Sequence, residues 1–452
     1  MNEKCALAPK SGEDGPEGDR PSDWQAAIAM GGLSSLPLVL LLLLFDAGNG
    51  LQRVPVITLR SGAHMPQIGF GTWGVSPQDV EPSVRAAIAS GYRMFDLAPV
   101  YNNEAAVGQV LAALQAEGAV ARSELFLTSK VPPVDACEPE QLRAKLEQTL
   151  HDLRTSYLDL YLVHWPFCVR PGAPSWPPPL EFQRGYSAEQ LRSTWRGMER
   201  FVTEGKVRAI GLANIGPNRL MRLLKALDLR VAPAVVQVEL HPYNTLTTLR
   251  ALCTKQHIAI TAYASLGSAA RPTKYQVPAD AHPVLLSDPV VASIASALGA
   301  PASAVALGWA LRRGVAIIPK STHPPRVRSN MEDTLRVAPM MSEKQLKRLD
   351  GLDRQHRYLA AGFKGYAWHE GMGIEELWDD PIEGNAMLSL LGSAWYVSVV
   401  VLVSVVYCAA RCNRSRRKED HVARRLSFGS ALDHLSPHRQ QYGTCSEDGA
   451  HF

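Results

Sequence analysis

Eight short, apolar, β-rich runs recur through the middle of this chain, separated by stretches that read as amphipathic helices, and few folds accept that order. The runs are residues 68–73, 94–98, 125–130, 158–164, 207–214, 234–240, 258–265 and 316–321. Strands that alternate with helices pair in parallel, and eight of them close into a (β/α)8 TIM barrel, the predicted α/β fold class, over residues 54–380. Helical faces are legible between the runs: Val80, Val84 and Ala87 share one side of residues 77–89, and Val107, Val110 and Leu111 one side of 104–114. Ahead of the first run, residues 56–59 and 64–67 are turned by Ser61 and Gly62 and are expected to form an N-terminal β-hairpin across the barrel's bottom. The Pro-rich piece 168–186 interrupts the pattern after the fourth run and is expected to be a loop over the mouth.

Two segments fall outside that pattern. Residues 26–45 are apolar or small and end in the run 38–45, which suits a signal anchor, a signal peptide or a transmembrane helix. A signal peptide usually begins with basic residues, whereas 1–25 are acidic and rich in Gly and Pro, as a disordered N-terminus would be. Residues 386–410 carry no charge over the length of a tilted membrane helix, with Trp395 and Tyr396 towards one end. Arg411, Arg414, Arg416, Arg417 and Lys418 follow it, while Asp379, Asp380 and Glu383 precede it. The positive-inside bias then puts the basic tail, 411–452, in the cytosol and the barrel on the lumenal or extracellular side of an endomembrane or the plasma membrane. The lipid bilayer is thus one expected partner. Against that side stands the lack of an N-x-[ST] acceptor in 54–380. In the tail, Arg424, Arg425 and Ser427 resemble a site for a basophilic kinase, a short pattern that also arises by chance.

Composition excludes several classes. The chain is 46% hydrophobic and 20% charged, an ordinary globular balance. Much of its net charge of +4 comes from the tail cluster, so the barrel shows no nucleic-acid footprint. Seven cysteines lack CxxC or Cys/His spacing, which argues against a disulfide scaffold or a metal site.

Polar residues end the second, third and fourth runs, where a barrel of this kind places its active site. Asp96, Tyr101, Lys130 and His164 are the candidates. Each has an ordinary alternative: Asp96 as a helix cap, Tyr101 as loop packing, Lys130 as a solvated cation, His164 as a core hydrogen-bonding group. Brought into one pocket they suit carbonyl reduction, which adds hydride to carbon and needs a proton on oxygen. A free tyrosine, with a pKa of about 10, is a sluggish acid. A neighbouring Lys130 would stabilise its phenolate, Asp96 would keep that ammonium charged, and His164 would donate to the carbonyl oxygen.

Longer strings carry a resemblance. They are Met65-Pro66-Gln67-Ile68-Gly69-Phe70-Gly71-Thr72-Trp73; Gly91-Tyr92-Arg93-Met94-Phe95-Asp96-Leu97-Ala98 with Tyr101 and Glu104; Leu158-Asp159-Leu160-Tyr161-Leu162-Val163-His164-Trp165-Pro166; Gly205-Lys206-Val207-Arg208-Ala209-Ile210-Gly211; and Gln237-Val238-Glu239-Leu240-His241-Pro242-Tyr243. In that order they closely resemble the aldo-keto reductase family from residue 54 to about 378. The resemblance implies NADPH/NADP+ as cofactor, a small-molecule carbonyl as substrate, and Asp96, Tyr101, Lys130 and His164 as the catalytic tetrad. It puts Tyr263 on the nicotinamide ring, Asn214 and Gln237 on its carboxamide, and Thr72, Trp73 and Leu266 in the same cradle. Lys320, Ser321, Arg326 and Asn330 match the family's adenosine and 2′-phosphate site, where a helix N-terminus with basic residues favours NADPH over NADH.

Some positions depart from the family's pattern. Ala213 stands where Ser is usual, Ala264-Ser265 replaces Ser-Pro, Ala270 replaces an Asp that closes over the pyrophosphate, and Ser329 replaces a common Glu. Weaker or faster-exchanging cofactor binding is the expectation. Trp73 and Trp165 are the expected substrate walls, with Phe363, Tyr366, Trp368 and His369 of the C-terminal segment completing an aromatic pocket suited to aldehydes and ketones. The leading expectation is a membrane-tethered NADPH-dependent reductase. Its rivals are an NADPH-binding redox sensor or membrane-complex subunit with little turnover, and a sugar or hydroxysteroid dehydrogenase running in the oxidative direction.

Overall fold

The computed structural model describes residues 53–134, 139–173, 180–184, 188–226, 229–268, 283–359 and Trp378. Eight parallel strands form its centre: β1 (Gly69–Gly71), β2 (Met94–Asp96), β3 (Phe126–Val131), β4 (Leu160–Val163), β5 (Ile210–Ala213), β6 (Val235–Glu239), β7 (Ala259–Tyr263) and β8 (Ala316–Ile317). Each pairs with its neighbour in chain order. The ring closes where Ile68 bridges Ile317 in parallel, through hydrogen bonds from Ile317 N to the Gln67 carbonyl at 2.8 Å and from Gly71 N to the Pro319 carbonyl at 3.1 Å. Gly71 is required at that seam, because a Cβ there would lie 2.7 Å from the Ile318 carbonyl oxygen. The antiparallel hairpin Val56–Thr58 and His64–Pro66 precede the barrel, turned at Gly62 with φ +82°.

The helices are α1 (Pro77–Ala89), α2 (Glu104–Ala116), α3 (Pro139–Asp152), α4 (Ala188–Thr203), α5 (Pro217–Ala226), α6 (Thr247–Lys255), α7 (Pro289–Ala297), α8 (Ala302–Arg312), α9 (Pro324–Val337) and α10 (Glu343–Asp350). Their apolar faces cover the outside of the strands, which explains why the strands read as continuous apolar runs rather than alternating ones. Two layers of core result. Met94, Phe126, Leu160, Leu162, Ala213, Val235 and Ala316 fill the barrel's interior, while Phe95, Leu127, Tyr161, Val163 and Val236 pack outward with the helices. That parity decides which polar residues face the lumen.

The strand ladders are shorter than the apolar runs that announced them. The first run, 68–73, supplies a ladder of only Gly69–Gly71, and Thr72 and Trp73 lie beyond it at the mouth. Hydrophobicity marks burial, and burial continues past the last ladder bond. Within the expected loop after β4 there is a small antiparallel ladder, Cys168–Val169 with Gln183–Arg184. Cys168 is disulfide-bonded, and its partner lies outside the described residues; cysteine spacing had pointed to no such link. Cys253 is free and buried, its thiol pushed up to about 12 by burial.

Both hydrophobic segments, 26–45 and 386–410, lie outside the described residues, as do the N-terminus 1–25 and the tail. Among the described residues no single helix is long and apolar enough to cross a membrane. The α7 and α8 pair has the length and composition together but bends by 93°. Its apolar side chains, Val291, Ile294, Val305 and Trp309 among them, are packed in the barrel's outer core.

Candidate active site

Strand parity brings three of the four expected groups together. Asp96 is two residues past inward-facing Met94, Lys130 four past Phe126, and His164 two past Leu162. All three emerge inside the barrel at the C-terminal ends of adjacent strands. Tyr101 joins them from the 3₁₀ turn Pro99–Tyr101 that follows β2.

Lys130 is wholly buried, and its Nζ donates to Asp96 Oδ2 at 2.7 Å, to the Leu97 carbonyl at 2.8 Å and to Tyr101 Oη at 3.1 Å. An ammonium has three N–H bonds, and here each has an acceptor. Burial pulls the lysine below its ordinary pKa, and the Asp96 charge opposes that pull. The other carboxylate oxygen of Asp96, Oδ1, accepts from Gln237 Nε2 at 2.7 Å. The ordinary alternatives for this pair fail: Lys130 is not solvated, and the N-cap position of the helix after β2 is Asn103, not Asp96.

The His164 ring stands edge-on to Tyr101, with centroids 5.9 Å apart, and stacks on Trp165 at 6.3 Å. Burial first, and the Lys130 charge second, hold its pKa well below the usual imidazole value, so the ring is neutral. Its Nδ1 is buried with no hydrogen-bond partner among the described residues, which removes the alternative of a satisfied core histidine at that atom. A neutral ring carries one N–H, and the tautomer that places it on Nε2 leaves the unpartnered Nδ1 bare and makes Nε2 a donor.

Behind Lys130, on the outer side of β3, lies a group that strand-end logic missed. Glu104, at the start of α2, is buried and accepts from Ser129 Oγ at 2.6 Å and Thr149 Oγ1 at 3.3 Å. Burial pushes its carboxyl up to about 7, against the pull of those hydroxyls and the Lys130 charge. It belongs to the string Tyr101 to Glu104, but nothing in its spacing signals that it faces Ser129 rather than solvent.

The expected cofactor residues fall in two groups. Asn214, in a left-handed conformation at φ +58° after β5, donates through Nδ2 to the His164 carbonyl at 2.8 Å and accepts from Tyr263 Oη at 2.7 Å. Thr72 Oγ1 donates to the Asp96 carbonyl at 2.8 Å, and Trp73 is half-buried beside it. Leu266 packs at the edge of the core after β7. Around the mouth, Lys320 and Ser321 end the last run, and α9 begins three residues later with Arg326 in its first turn and Asn330 one turn on. Lys320 and Arg326 are exposed; Ser321 and Asn330 are buried. The Asn330 amide makes no hydrogen bond among the described residues. Two exposed cations and buried polar groups at a helix N-terminus form a donor set that suits a phosphate, so the residues present fit a phosphorylated dinucleotide. Ser329 donates instead to Asp333 at 2.6 Å, within its own helix. Ala270 lies outside the described residues.

Trp165 is buried in a separate aromatic cluster with Phe167, Val169, Leu359 and Trp378, and Tyr263 packs against it. Trp378 meets Trp165 at 5.9 Å between ring centroids. Phe363, Tyr366, Trp368 and His369 lie outside the described residues.

Comparison with known proteins agrees with this geometry. The profile of the "Aldo/keto reductase family" matches residues 67–354. An aldo/keto reductase of Synechocystis sp. is 37% identical over 336 residues, covering 74% of this chain and 98% of its own. Aldo-keto reductase family 1 member A1 of Mus musculus is 36% identical over 306 residues, covering 67% of this chain and 90% of its own. The Homo sapiens protein of the same name is also 36% identical, with the same coverage.

Proposed function

This chain belongs to the aldo/keto reductase family of NADP(H)-dependent oxidoreductases, and from that premise we propose that it reduces aldehydes or ketones to alcohols with Tyr101 as the proton donor. NADPH, when bound, supplies the hydride. The observation that carries the rest is the Lys130 ammonium, hydrogen-bonded at once to Asp96 and to the Tyr101 phenol. A phenol oxygen that accepts from Lys130 has its own O–H to pass to a carbonyl oxygen. The phenolate left behind faces a cation at 3.1 Å, which makes the proton easier to release. Asp96 keeps that cation charged within a buried site, and Gln237 holds Asp96. His164 Nε2 donates to the same carbonyl oxygen and sets its angle, a task for a neutral imidazole that does not compete as an acid. Lys320, Ser321, Arg326 and Asn330 bind the adenosine phosphate; Tyr263, Asn214 and Gln237, with Thr72, Trp73 and Leu266, hold the nicotinamide end; Trp73 and Trp165 wall the substrate.

Turnover of NADPH by the full chain, with a panel of aldehydes and ketones beside Tyr101→Phe, tests this reading. Consumption that largely disappears in the variant supports it. Tight NADPH binding without turnover of any carbonyl sinks it and favours a sensor.

The same proposal includes tethering by 386–410, and by 26–45 where that segment is retained, with the barrel on the non-cytosolic side. The basic cluster after 410 supports the orientation, and so does a disulfide at Cys168, since such links persist on oxidising sides of membranes. Protease treatment of sealed, cytosol-out vesicles decides it: a digested barrel overturns the orientation.

A further inference from the structure

On the outer face of the barrel, away from the strand ends that hold the tetrad, a groove of about 680 Å³ is lined by Arg192, Ser193, Arg196, Glu199, Arg200, Thr203, Arg230 and Val231. Three of its arginines recur every fourth residue along α4, a spacing that stacks them on one helix face, where like charges repel. The fourth, Arg230, enters from the segment leading into β6. Its position is built rather than accidental. Buried Trp195 donates through Nε1 to the Val231 carbonyl at 2.9 Å, and buried Glu199 accepts from the backbone N–H groups of Arg230 and Val231, both at 2.9 Å.

Those three bonds form a rigid floor that brings Arg230 against the ladder. Glu199, the one acid in the lining, is turned into that floor. Four cations against one carboxylate leave three net positive charges around the groove. Among the described residues, the guanidinium groups of Arg196, Arg200 and Arg230 take part in no ion pair or hydrogen bond, whereas Arg143, on the neighbouring helix α3, pairs with Glu204. Ser193 adds a hydroxyl at the rim, while the Thr203 hydroxyl donates to the Glu199 carbonyl at 3.2 Å.

We infer that this groove is a second anion site, distinct from the cofactor cradle, and that it takes a compact ligand carrying several phosphate groups. Guanidinium forks match phosphate oxygens two at a time, and a concave site of this volume suits a small polyanion better than a flat macromolecular surface. The same chemistry is offered by a free inositol polyphosphate and by a polyphosphoinositide headgroup in a bilayer; such headgroups face the cytosol, so the second source reaches this groove only in a cytosolic barrel, against the orientation proposed above.

The test uses the full chain in nanodiscs of neutral lipid, with saturating NADP+ so that the cofactor site is filled, at about 150 mM salt to screen weak surface attraction. Inositol hexakisphosphate is titrated by calorimetry in one arm; in the other, the nanodiscs are offered vesicles carrying a phosphatidylinositol bisphosphate. Saturable binding in the first arm assigns a free polyphosphate, and vesicle capture in the second assigns the headgroup. Either supports the site if Arg196→Gln, Arg200→Gln and Arg230→Gln together weaken it by roughly ten-fold or more. The variant is expected to keep its melting temperature and its KM for NADPH. Absence of binding in both arms, or binding equal in the triple variant, overturns the inference.

Discussion

Gln237 donates to Asp96 across 2.7 Å, so the carboxylate that holds Lys130 with one oxygen is itself held by the other. The resemblance assigns Gln237 to the cofactor's carboxamide; in this structure its Nε2 donates to Asp96, which leaves Oε1 for that second task. Gln237→Leu would leave Asp96 Oδ1 buried without a donor, at a cost of about 1–3 kcal/mol. We expect kcat to fall roughly ten-fold through a misplaced Lys130. A residue acting on the cofactor alone would instead raise KM for NADPH and leave kcat unchanged, and steady-state kinetics separate the two.

Lys130 and Asp96 form a fully desolvated pair, 2.7 Å apart. Removing one partner strands the other charge, so Lys130→Met should destabilise the protein by about 3–5 kcal/mol. Lys130→Met with Asp96→Asn removes both charges, and most of that stability should return. Activity should not return, because the phenol has lost its cation; turnover at least ~10²-fold below the parent is expected in both variants. Thermal denaturation beside an NADPH assay checks this. A double variant as unstable as the single one would mean that the pair's charges are not what sets the loss.

The parts of this molecule that were legible in its sequence are those encoded locally. Apolar runs marked all eight strands, and the polar residues at three run ends, Asp96, Lys130 and His164, emerge together inside the barrel, because parity and position along a strand are local properties. Ladder lengths were overestimated, since Thr72 and Trp73 are apolar-run residues that leave the sheet. Gln237 on Asp96 was not legible: the contact joins residues 141 apart in the chain, and it depends on how two non-adjacent strands face across the lumen. Glu104 escaped for a similar reason. A carboxylate in the first turn of a helix is ordinarily a solvated complement to the helix dipole, and only the packing of α2 on Ser129 and Thr149 buries it. The arginine groove was not legible, because Arg230 reaches the arginines of α4 from a separate segment about thirty residues on, held there by Trp195 and Glu199.

A neutral His164 makes a kinetic prediction. Burial and Lys130 keep its pKa well below the usual imidazole value, so no limb of the kcat profile at or above that usual value should belong to it. Ring NMR signals of His164 should stay at neutral positions as the pH crosses the ordinary imidazole value of about 6.5. A ring that titrates near the ordinary value of about 6.5 would mean that the imidazole can carry a proton to the carbonyl, displacing Tyr101 from that role.

Glu104 and His164 pull the pH dependence of stability in opposite directions. The His164 pKa is depressed on folding, so between the folded and unfolded values the unfolded chain binds more protons and stability rises with pH. The Glu104 carboxyl is raised from 4.5 to about 7, so between those values the folded chain binds more protons and stability falls as pH rises. Glu104→Gln keeps an acceptor for Ser129 and removes the ionisation. Its advantage over the parent should therefore be absent below about pH 4.5, grow through neutrality, and level off at something on the order of 3 kcal/mol above pH 7. Denaturant titrations of both proteins at pH 5 and pH 8 measure the difference directly. An advantage equal at the two pH values would mean that Glu104 stays ionised in the fold, held by Ser129, Thr149 and the Lys130 charge more strongly than burial opposes it.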